Sequence, residues 1–209
     1  MKKDSKKILL LDIETAPNLV AVFQLKQTYI NPRYIMQDGY VLCYTAKWLG
    51  EKKVYFSKNP DGHKKMLEDI HSLLSKAEAI VHYNGKKFDI PTLNSEFLLH
   101  GLTPIENMVQ IDLYRLVRRT FNFPSYKLEY VCKRLGLGSK VSHKGWDLWK
   151  ECMDKTHKSH AASWKEMERY NKQDVVLLER LYNKVRPWFS STLGFKRIHE
   201  YLTGARSKP

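Results

Sequence analysis

The chain has 209 residues, and its 36 lysines and arginines exceed its 22 acidic residues, so the formal net charge is +14. This length allows one well-buried core and is short for two full-sized domains, so we expect a single domain over residues 1–203 and a loose basic tail at 204–209. The positive charge favours polyanionic partners, such as nucleic acid or an acidic membrane surface.

Two classes of protein are disfavoured by the sequence. Nowhere does it contain about 18 consecutive apolar residues, the length needed to span a bilayer, and the apolar run at residues 8–11 is too short for a signal sequence. The three cysteines are odd in number and scattered, which argues against a disulfide framework and for a reducing compartment. We therefore expect a cytoplasmic protein without a membrane partner.

The first third of the chain predicts short strands, because apolar, β-branched and aromatic residues cluster between turn-forming residues. The predicted strands are residues 7–13, 18–25, 40–49 and 53–56. Gly50 and Glu51 separate the last two and predict a hairpin turn. Part of the sheet is therefore expected to be antiparallel.

Helices and strands alternate in the middle of the chain. Apolar residues recur at helical spacing over residues 63–77, and shorter helices are predicted at 91–99 and 127–135, each followed by glycine. Residues 79–83 and 109–113 predict the strands between them. The whole pattern indicates an α/β fold, in which a mixed sheet with antiparallel and then parallel strands is covered on both faces by helices.

The last third contains one long predicted helix. Residues 138–163 are polar, with three histidines and two tryptophans but no clear period, so we expect an irregular insertion there. Ser163 followed by Glu166 forms a capping box and predicts the start of a helix that runs to about residue 185. Pro187 then ends it.

Four carboxylates lie within apolar stretches far apart in the sequence: Asp12, Glu14, Asp89 and Asp174. An unpaired buried carboxylate is costly, so we expect these acids to converge on divalent cations. Asp12 and Glu14 are two apart on a strand and point to the same face. Asp174 lies about 20° from the centre of the apolar face of the last helix, and Tyr170 lies one turn before it on the same side. The alternatives are solvated acids at a strand end, a helix-dipole role for Asp89 and a salt bridge for Asp174.

The joint pattern resembles the Asp-Glu-Asp-Asp (DnaQ-like) exonuclease superfamily with its RNase H-like fold, in the DEDDy branch whose third motif is Tyr-x-x-x-Asp. The segments DIET at 12–15, YNGKKFDIP at 83–91 and YNKQDV at 170–175 are most similar to the proofreading exonuclease domain of family B DNA polymerases and to free-standing phage and bacterial relatives. The resemblance covers residues 7–185. A polymerase would continue for hundreds of residues, so we do not expect proofreading in cis.

This resemblance implies that the four acids hold two Mg²⁺ or Mn²⁺ ions and that Tyr170 positions the attacking water. Two such ions can activate a nucleophile on one side of the phosphate and neutralise the leaving 3′-oxygen on the other. An RNase H-like hydrolase of this kind needs no covalent intermediate.

The resemblance also implies contacts with the substrate. Thr15, Asn84 and Phe88 match positions that contact the terminal nucleotides, and the alternatives are a strand-end hydroxyl, a loop-stabilising amide and a core phenylalanine. A lysine before the third motif is expected to steady the scissile phosphate. Lys144 is the first candidate and Lys140 the second, although a solvated surface lysine is the simpler account of either.

Two further sets of residues have weaker functional interpretations. Asp112 lies in an apolar strand and is expected to support the structure around the site. His143, Cys152, His157 and His160 could be drawn as a zinc site, but their spacing fits no familiar signature, so a solvated insertion is the preferred interpretation.

The leading hypothesis is a metal-dependent 3′-5′ exonuclease that hydrolyses phosphodiester bonds from the 3′ end of single-stranded DNA or RNA, DNA being favoured. Its basic surface and aromatic residues such as Tyr126, Trp146 and Trp149 would hold the strand. The alternatives are a structure-selective endonuclease or ribonuclease with the same site, and a non-catalytic nucleic-acid-binding module. The expected location is the cytoplasm of a bacterial or phage-infected cell.

Overall fold

A computed structural model describes residues 7–26, 28–106 and 108–191. Its main sheet has five strands in the order β5-β4-β1-β6-β7, and β2 and β3 form a separate two-stranded sheet. The strands are β1 Ile8–Thr15, β2 Leu19–Val20, β3 Ile35–Gln37, β4 Val41–Trp48, β5 Val54–Lys58, β6 Ala79–His82 and β7 Val109–Asp112. The helices are α1 His63–Ser75, α2 Asp89–Leu99, α3 Leu113–Thr120, α4 Leu128–Arg134, α5 Trp146–Met153 and α6 His160–Val185. Short 3₁₀ turns cover Pro32–Tyr34, Asn59–Asp61 and Arg186–Ser191.

The main sheet is mixed, as the sequence predicts. Strand β1 pairs antiparallel with β4, and β4 pairs antiparallel with β5 through the turn at Gly50, whose φ is +81°. Strands β6 and β7 run parallel to β1 on its other side. The antiparallel part therefore comes first in the chain and the parallel part second.

Helices cover both faces of this sheet. Strand β1 is at the centre, so its alternate side chains are buried on opposite faces, Leu9 and Leu11 on one and Ile8 and Leu10 on the other. The first face packs against α1 and α2, and the second against α3, α4 and α6. The predicted α/β architecture is confirmed.

Residues 18–25 do not form the predicted strand. Only Leu19 and Val20 are extended, and they pair with β3 outside the main sheet. Phe23 and Leu25 are 86% and 99% exposed. A high strand propensity therefore does not extend the pairing here, because there is no face of the core for these side chains to cover.

The predicted irregular insertion at 138–163 contains a helix. Helix α5 buries Leu148 and Cys152, which are four residues apart on one face, and these pack in one cluster with Trp164 and Met167 of α6. Helix α6 begins at His160, so the prediction of Ser163 as its N-cap was wrong. Ser163 lies inside the helix, and its buried hydroxyl donates to Glu151 of α5. The polar composition of this segment hid a short amphipathic helix.

Helix α3 was not predicted at all. It begins directly after β7, where the Asp112 carboxylate caps it by accepting from the backbone N–H groups of Tyr114 and Arg115. The predicted domain boundary at 203 and the basic tail at 204–209 lie outside the described residues. Cys43, Cys132 and Cys152 are buried free thiols. In the described part of the chain, no helix combines the length and apolar character needed to cross a bilayer.

Candidate active site

Strand β1 and helix α6 bring three of the four predicted acids together. Asp12 and Glu14 are two apart on β1, opposite Thr45 and Cys43 of β4, and helix α6 packs against both strands. Asp174 lies on the inward side of α6 and is 3% exposed. One carboxylate oxygen of each of these three acids lies within 4.8 Å of the other two.

The fourth acid, Asp89, reaches the same strand from another helix. It is the first residue of α2, is 4% exposed, and accepts a hydrogen bond of 3.2 Å from the backbone N–H of Ile13. Ile13 lies between Asp12 and Glu14, so this bond fixes Asp89 against the acid pair of β1. The four carboxylates are drawn from three elements that are separate in the sequence.

Burial raises the pKa of each of these carboxylates, and the charges of neighbouring acids raise the pKa of Asp12 and of Glu14 further. Burial raises the pKa of Asp12 well above its usual value, and the charges of Glu14, Asp89 and Asp174 raise it further, while Lys140 opposes the rise. Burial and then the charge of Asp174 raise the pKa of Glu14 to about 8. Burial raises the pKa of Asp89 to about 7, although the N–H of Ile13 lowers it. In the absence of cations, protons therefore compensate this cluster near neutral pH.

The donor set suits divalent cations. It offers only carboxylate oxygens, which are the ligands that Mg²⁺ and Mn²⁺ prefer. Asp174 also has a buried oxygen, Oδ1, with no hydrogen-bond partner among the described residues. A buried acceptor without a partner is costly, and a bound cation would satisfy it.

A lysine lies at this cluster, but it is Lys140 and not the first candidate, Lys144. The Lys140 ammonium forms an ion pair with Asp174 and lies 3.3 Å from the hydroxyl of Tyr170. The predicted salt bridge of Asp174 therefore exists, yet one ammonium does not neutralise the neighbouring Asp12 and Glu14.

Lys144 instead joins α5 to α6. Its ammonium forms an ion pair with Glu151 and lies 3.2 Å from Ser163, with Glu166 at 3.8 Å. Ser163 is seven residues before Tyr170, about 10 Å along the helix axis. The sequence did not reveal α5, which supplies Glu151 and holds Lys144 against α6 instead of beside Asp174.

Tyr170 is held beside the acids by aromatic neighbours. Its ring centroid lies 4.6 Å from that of His143 and 6.1 Å from that of Trp149. Burial and the charge of Glu14 raise the pKa of the hydroxyl, so Tyr170 stays protonated and available as a hydrogen-bond donor. Trp149 is partly buried and packs against Tyr170, and its role in holding a strand stays a prediction.

Asn171 is a site residue that the sequence analysis missed. It is fully buried on α6, and its Nδ2 donates a hydrogen bond to Oδ2 of Asp12. Its position directly after Tyr170 in the third motif was the available signal. This amide orients Asp12 from the helix that carries Asp174.

The loop after β6 is ordered by Asp112. The Asp112 carboxylate accepts from the backbone N–H of Asn84 at 2.9 Å and of Lys86 at 3.4 Å, in addition to capping α3. Asn84 has a left-handed backbone with φ +64°, which asparagine tolerates better than most residues. Asp112 thus has the structural role expected of it.

The predicted nucleotide contacts lie at different places around the site. Asn84 lines a cavity of about 720 Å³ whose wall also includes Asp12, Asp174 and Tyr170. Thr15 ends β1 and is partly buried. Phe88 is 45% exposed, so the alternative of a core phenylalanine was wrong.

The wall of this cavity also carries aromatic and basic side chains. Tyr83, Tyr114 and Tyr126 contribute to it, together with Lys127 and Lys140. Tyr126 was expected at the substrate, whereas Trp146 is 54% exposed and is not part of this wall. Cations and flat rings are the groups with which proteins hold single-stranded nucleic acid.

The zinc site drawn from residues of the 138–163 segment is not assembled. His160 hydrogen-bonds the backbone oxygen of Glu151, and His157 accepts from the N–H of Ser159. Among the described residues, two groups have metal-binding geometry: the acids Asp12, Glu14 and Asp174, and a second group in α1 and α2.

Comparison with known proteins identifies the family. A sequence model described as RNase_H superfamily matches residues 38–186, most of the chain. This chain belongs to the RNase H superfamily. Its fold is similar to that of the family B DNA polymerase from the hyperthermophilic archaeon Pyrobaculum calidifontis, with a TM-score of 0.69 and 16% sequence identity. The alignment covers 92% of this chain and 27% of the polymerase chain, and no curated protein sequence matches significantly.

Proposed function

We propose that this RNase H superfamily member is a metal-dependent 3′-5′ exonuclease of the DEDDy type, which hydrolyses the phosphodiester bonds of single-stranded nucleic acid, DNA being favoured. The observation that carries the proposal is the convergence of Asp12, Glu14 and Asp174, with Asp89 fixed to the same strand and Tyr170 beside them. Their burial makes this arrangement unfavourable without a cationic ligand. The shared fold with a DNA polymerase supports a nucleic-acid substrate.

The four acids would hold two Mg²⁺ or Mn²⁺ ions, which when bound supply Lewis-acid charge to the attacking and leaving oxygens of the phosphate. Asn171 fixes the rotamer of Asp12, and the N–H of Ile13 fixes that of Asp89. Both carboxylates are therefore preorganised, which lowers the cost of assembling the site.

Tyr170 and Lys140 act on the other groups of the reaction. The Tyr170 hydroxyl keeps its proton, so it can donate a hydrogen bond that orients the attacking water. The Lys140 ammonium now neutralises Asp174. With cations on the acids, this ammonium would be available to stabilise the negative charge that develops on the scissile phosphate.

The substrate strand would lie in the cavity of about 720 Å³ beside the acids. Tyr83, Tyr114 and Tyr126 offer rings for stacking, and Lys127 offers charge for the backbone. The exposed ring of Phe88, next to Asp89, is a further stacking surface for the terminal base.

The test uses oligonucleotides labelled at the 5′ end, as single and double strands of DNA and RNA, with an open or a blocked 3′ end. In Mg²⁺ or Mn²⁺ we expect a ladder that shortens by one nucleotide at a time from the open 3′ end and no cleavage of the blocked strand. Internal cleavage of the blocked strand would establish an endonuclease instead. Binding without hydrolysis in either metal would establish a non-catalytic module.

Variants tie the activity to the site. Asp174→Asn is expected to abolish turnover without changing the far-ultraviolet circular dichroism spectrum. Tyr170→Phe is expected to lower kcat by up to about 100-fold, because the attacking water would no longer be held in position. The matched control is Asp61→Asn, since Asp61 is a largely exposed acid outside the cluster. Full activity in Asp174→Asn would contradict the assignment.

A further inference from the structure

A second group of potential metal ligands lies away from the acid cluster. His63 is the first residue of α1, Glu96 lies in the last turn of α2, and His100 follows α2 as its C-cap. One ligand atom from each lies within 4.8 Å of the other two. Glu96 is seven residues, or about 10 Å of helix, from Asp89 at the start of α2, so this group is separate from the candidate active site.

From this group we infer a binding site for one zinc-like transition-metal ion, held by His63 Nε2, Glu96 Oε2 and His100 Nε2. Two imidazoles and one carboxylate are a ligand set that Zn²⁺ binds with a fourth position open to water. The site joins the beginning of α1 to the end of α2.

The distances fit a tetrahedral ion. With metal–ligand bonds of 2.0 to 2.2 Å, neighbouring ligand atoms of a tetrahedron lie about 3.3 to 3.5 Å apart. Glu96 Oε2 lies 3.0 Å from Nε2 of His63 and 3.7 Å from Nε2 of His100. Shifts of a few tenths of an ångström would bring both to the required separation.

A hydrogen bond to Glu96 explains the position of only one of the two imidazole rings. The contact of 3.0 Å from His63 to Glu96 is a normal hydrogen bond, but the 3.7 Å contact from His100 is too long for one. Both rings nevertheless direct Nε2 at the same oxygen. A shared ion accounts for this convergence, because it binds all three atoms at once.

The surroundings already orient two of the three ligands. Glu96 Oε1 accepts a hydrogen bond of 2.9 Å from the backbone N–H of Val41, which leaves Oε2 for the ion. The Nδ1 of His63 lies 2.7 Å from the side-chain amide of Asn59. Outer partners of this kind fix the orientation of metal ligands.

The contact with Asn59 also predicts a change on binding. The amide now presents Nδ2 to His63 Nδ1, which places the ring proton on Nε2. A metal on Nε2 requires the proton on Nδ1, so the amide must turn over and accept through Oδ1. Zinc binding would therefore move the ring proton of His63 from Nε2 to Nδ1, with no net release of a proton, and reverse the Asn59 amide.

The site is accessible from solvent. The side chains of His63 and His100 are 22% and 32% exposed, whereas that of Glu96 is 8% exposed. An ion can therefore enter without opening the core. Mg²⁺ would be disfavoured because it prefers oxygen ligands and octahedral geometry, so the site would discriminate against Mg²⁺, one of the two ions proposed for the acid cluster.

The experiment measures zinc bound by the full chain after chelation, reloading with Zn²⁺ and dialysis against excess Mg²⁺, which is included to compete for the acid cluster, in keeping with the proposed function. We expect about one zinc per chain in the wild type. His63→Gln and His100→Gln should each lower the zinc affinity by more than about 100-fold, and Asn59→Ala by about 10- to 100-fold. The matched control is His71→Gln, since His71 lies on the same helix but bonds the backbone oxygen of Thr103.

Two further readouts separate this site from adventitious binding. Co²⁺ should give the visible absorption of a four-coordinate ion in the wild type and in Asp174→Asn, and should lose it in His100→Gln. Zinc at 100 times its Kd should raise the Tm of the wild type by about 5 to 10 °C. Failure of the wild type to retain zinc, or retention by the His63→Gln and His100→Gln proteins equal to that of the wild type, would overturn the inference.

Discussion

Replacement of Glu14 by glutamine should stabilise the metal-free protein at high pH and leave it unchanged at low pH. Burial and the charge of Asp174 raise the pKa of Glu14 from 4.5 to about 8. Below pH 4.5, the carboxyl is protonated in both the folded and the unfolded chain, so it does not alter the free energy of unfolding. Between pH 4.5 and 8, the unfolded chain loses this proton and the folded chain keeps it, so stability falls as pH rises.

The size of the effect follows from the change in pKa. The rise from 4.5 to about 8 is about 3.5 pKa units, and at about 1.36 kcal/mol per unit it corresponds to a loss of about 5 kcal/mol above pH 8. Glu14→Gln has no proton to lose and avoids this loss. For a chain of this length, the Tm of the variant should exceed that of the wild type by about 10 to 20 °C at pH 9 and match it at pH 4.

The assay is thermal and urea unfolding in a chelating buffer from pH 4 to 9, with Glu68→Gln as control because Glu68 is an exposed acid on α1. Addition of Mg²⁺ at pH 9 should restore the wild type more than the variant, which has lost one ligand. A wild-type stability that does not change from pH 5 to 9 without metal, or an equal effect of Glu14→Gln at both ends of the range, would refute the reasoning.

Three further outcomes are expected. In steady-state assays, Lys140→Met should lower kcat by about 100-fold, the usual cost of removing a hydrogen-bond donor that stabilises a transition state. Lys144→Met should leave kcat within about threefold of the wild type. Equal effects of the two substitutions would contradict the assignment of Lys140. Gly85→Ala should unfold at lower temperature than the wild type in calorimetry, because an added Cβ would lie 2.6 Å from the buried ring of His82; an unchanged Tm would contradict this. Asp112→Ala should cost about 1 to 3 kcal/mol in urea unfolding, since it leaves backbone N–H groups without an acceptor, and a cost near zero would show that water replaces the carboxylate.

Local periodicity was sufficient for much of the fold. Strands β1 and β6 and helix α1 were predicted to within a few residues, because their apolar spacing reflects the faces that they bury. Residues 18–25 show the limit of this reasoning, since their strand-like composition lacks a partner face. Helix α5 shows the opposite error, a structured segment that was predicted to be irregular, because its buried face consists of only two residues in a polar segment.

The candidate site was predictable to the extent that its residues break a local pattern. Asp174 was conspicuous as an acid on an apolar helical face, and the structure places it with Asp12 and Glu14. Asn171 was indicated only by its place after Tyr170 in the third motif and not by a break in a local pattern, because its role depends on the approach of β1 to α6. The choice between Lys140 and Lys144 likewise depended on the path of the segment that precedes α6.

The sequence by itself determined the α/β class and the set of candidate acids. The spacing of apolar residues, and an acid placed among them, can be read from each segment alone. Only the tertiary structure decided which lysine reaches Asp174, where Lys144 finds its partners, and that His63 meets Glu96 and His100. These contacts join residues of different elements, and their distances depend on how the elements pack. Packing is a property of the whole chain, so no single segment of the sequence specifies it.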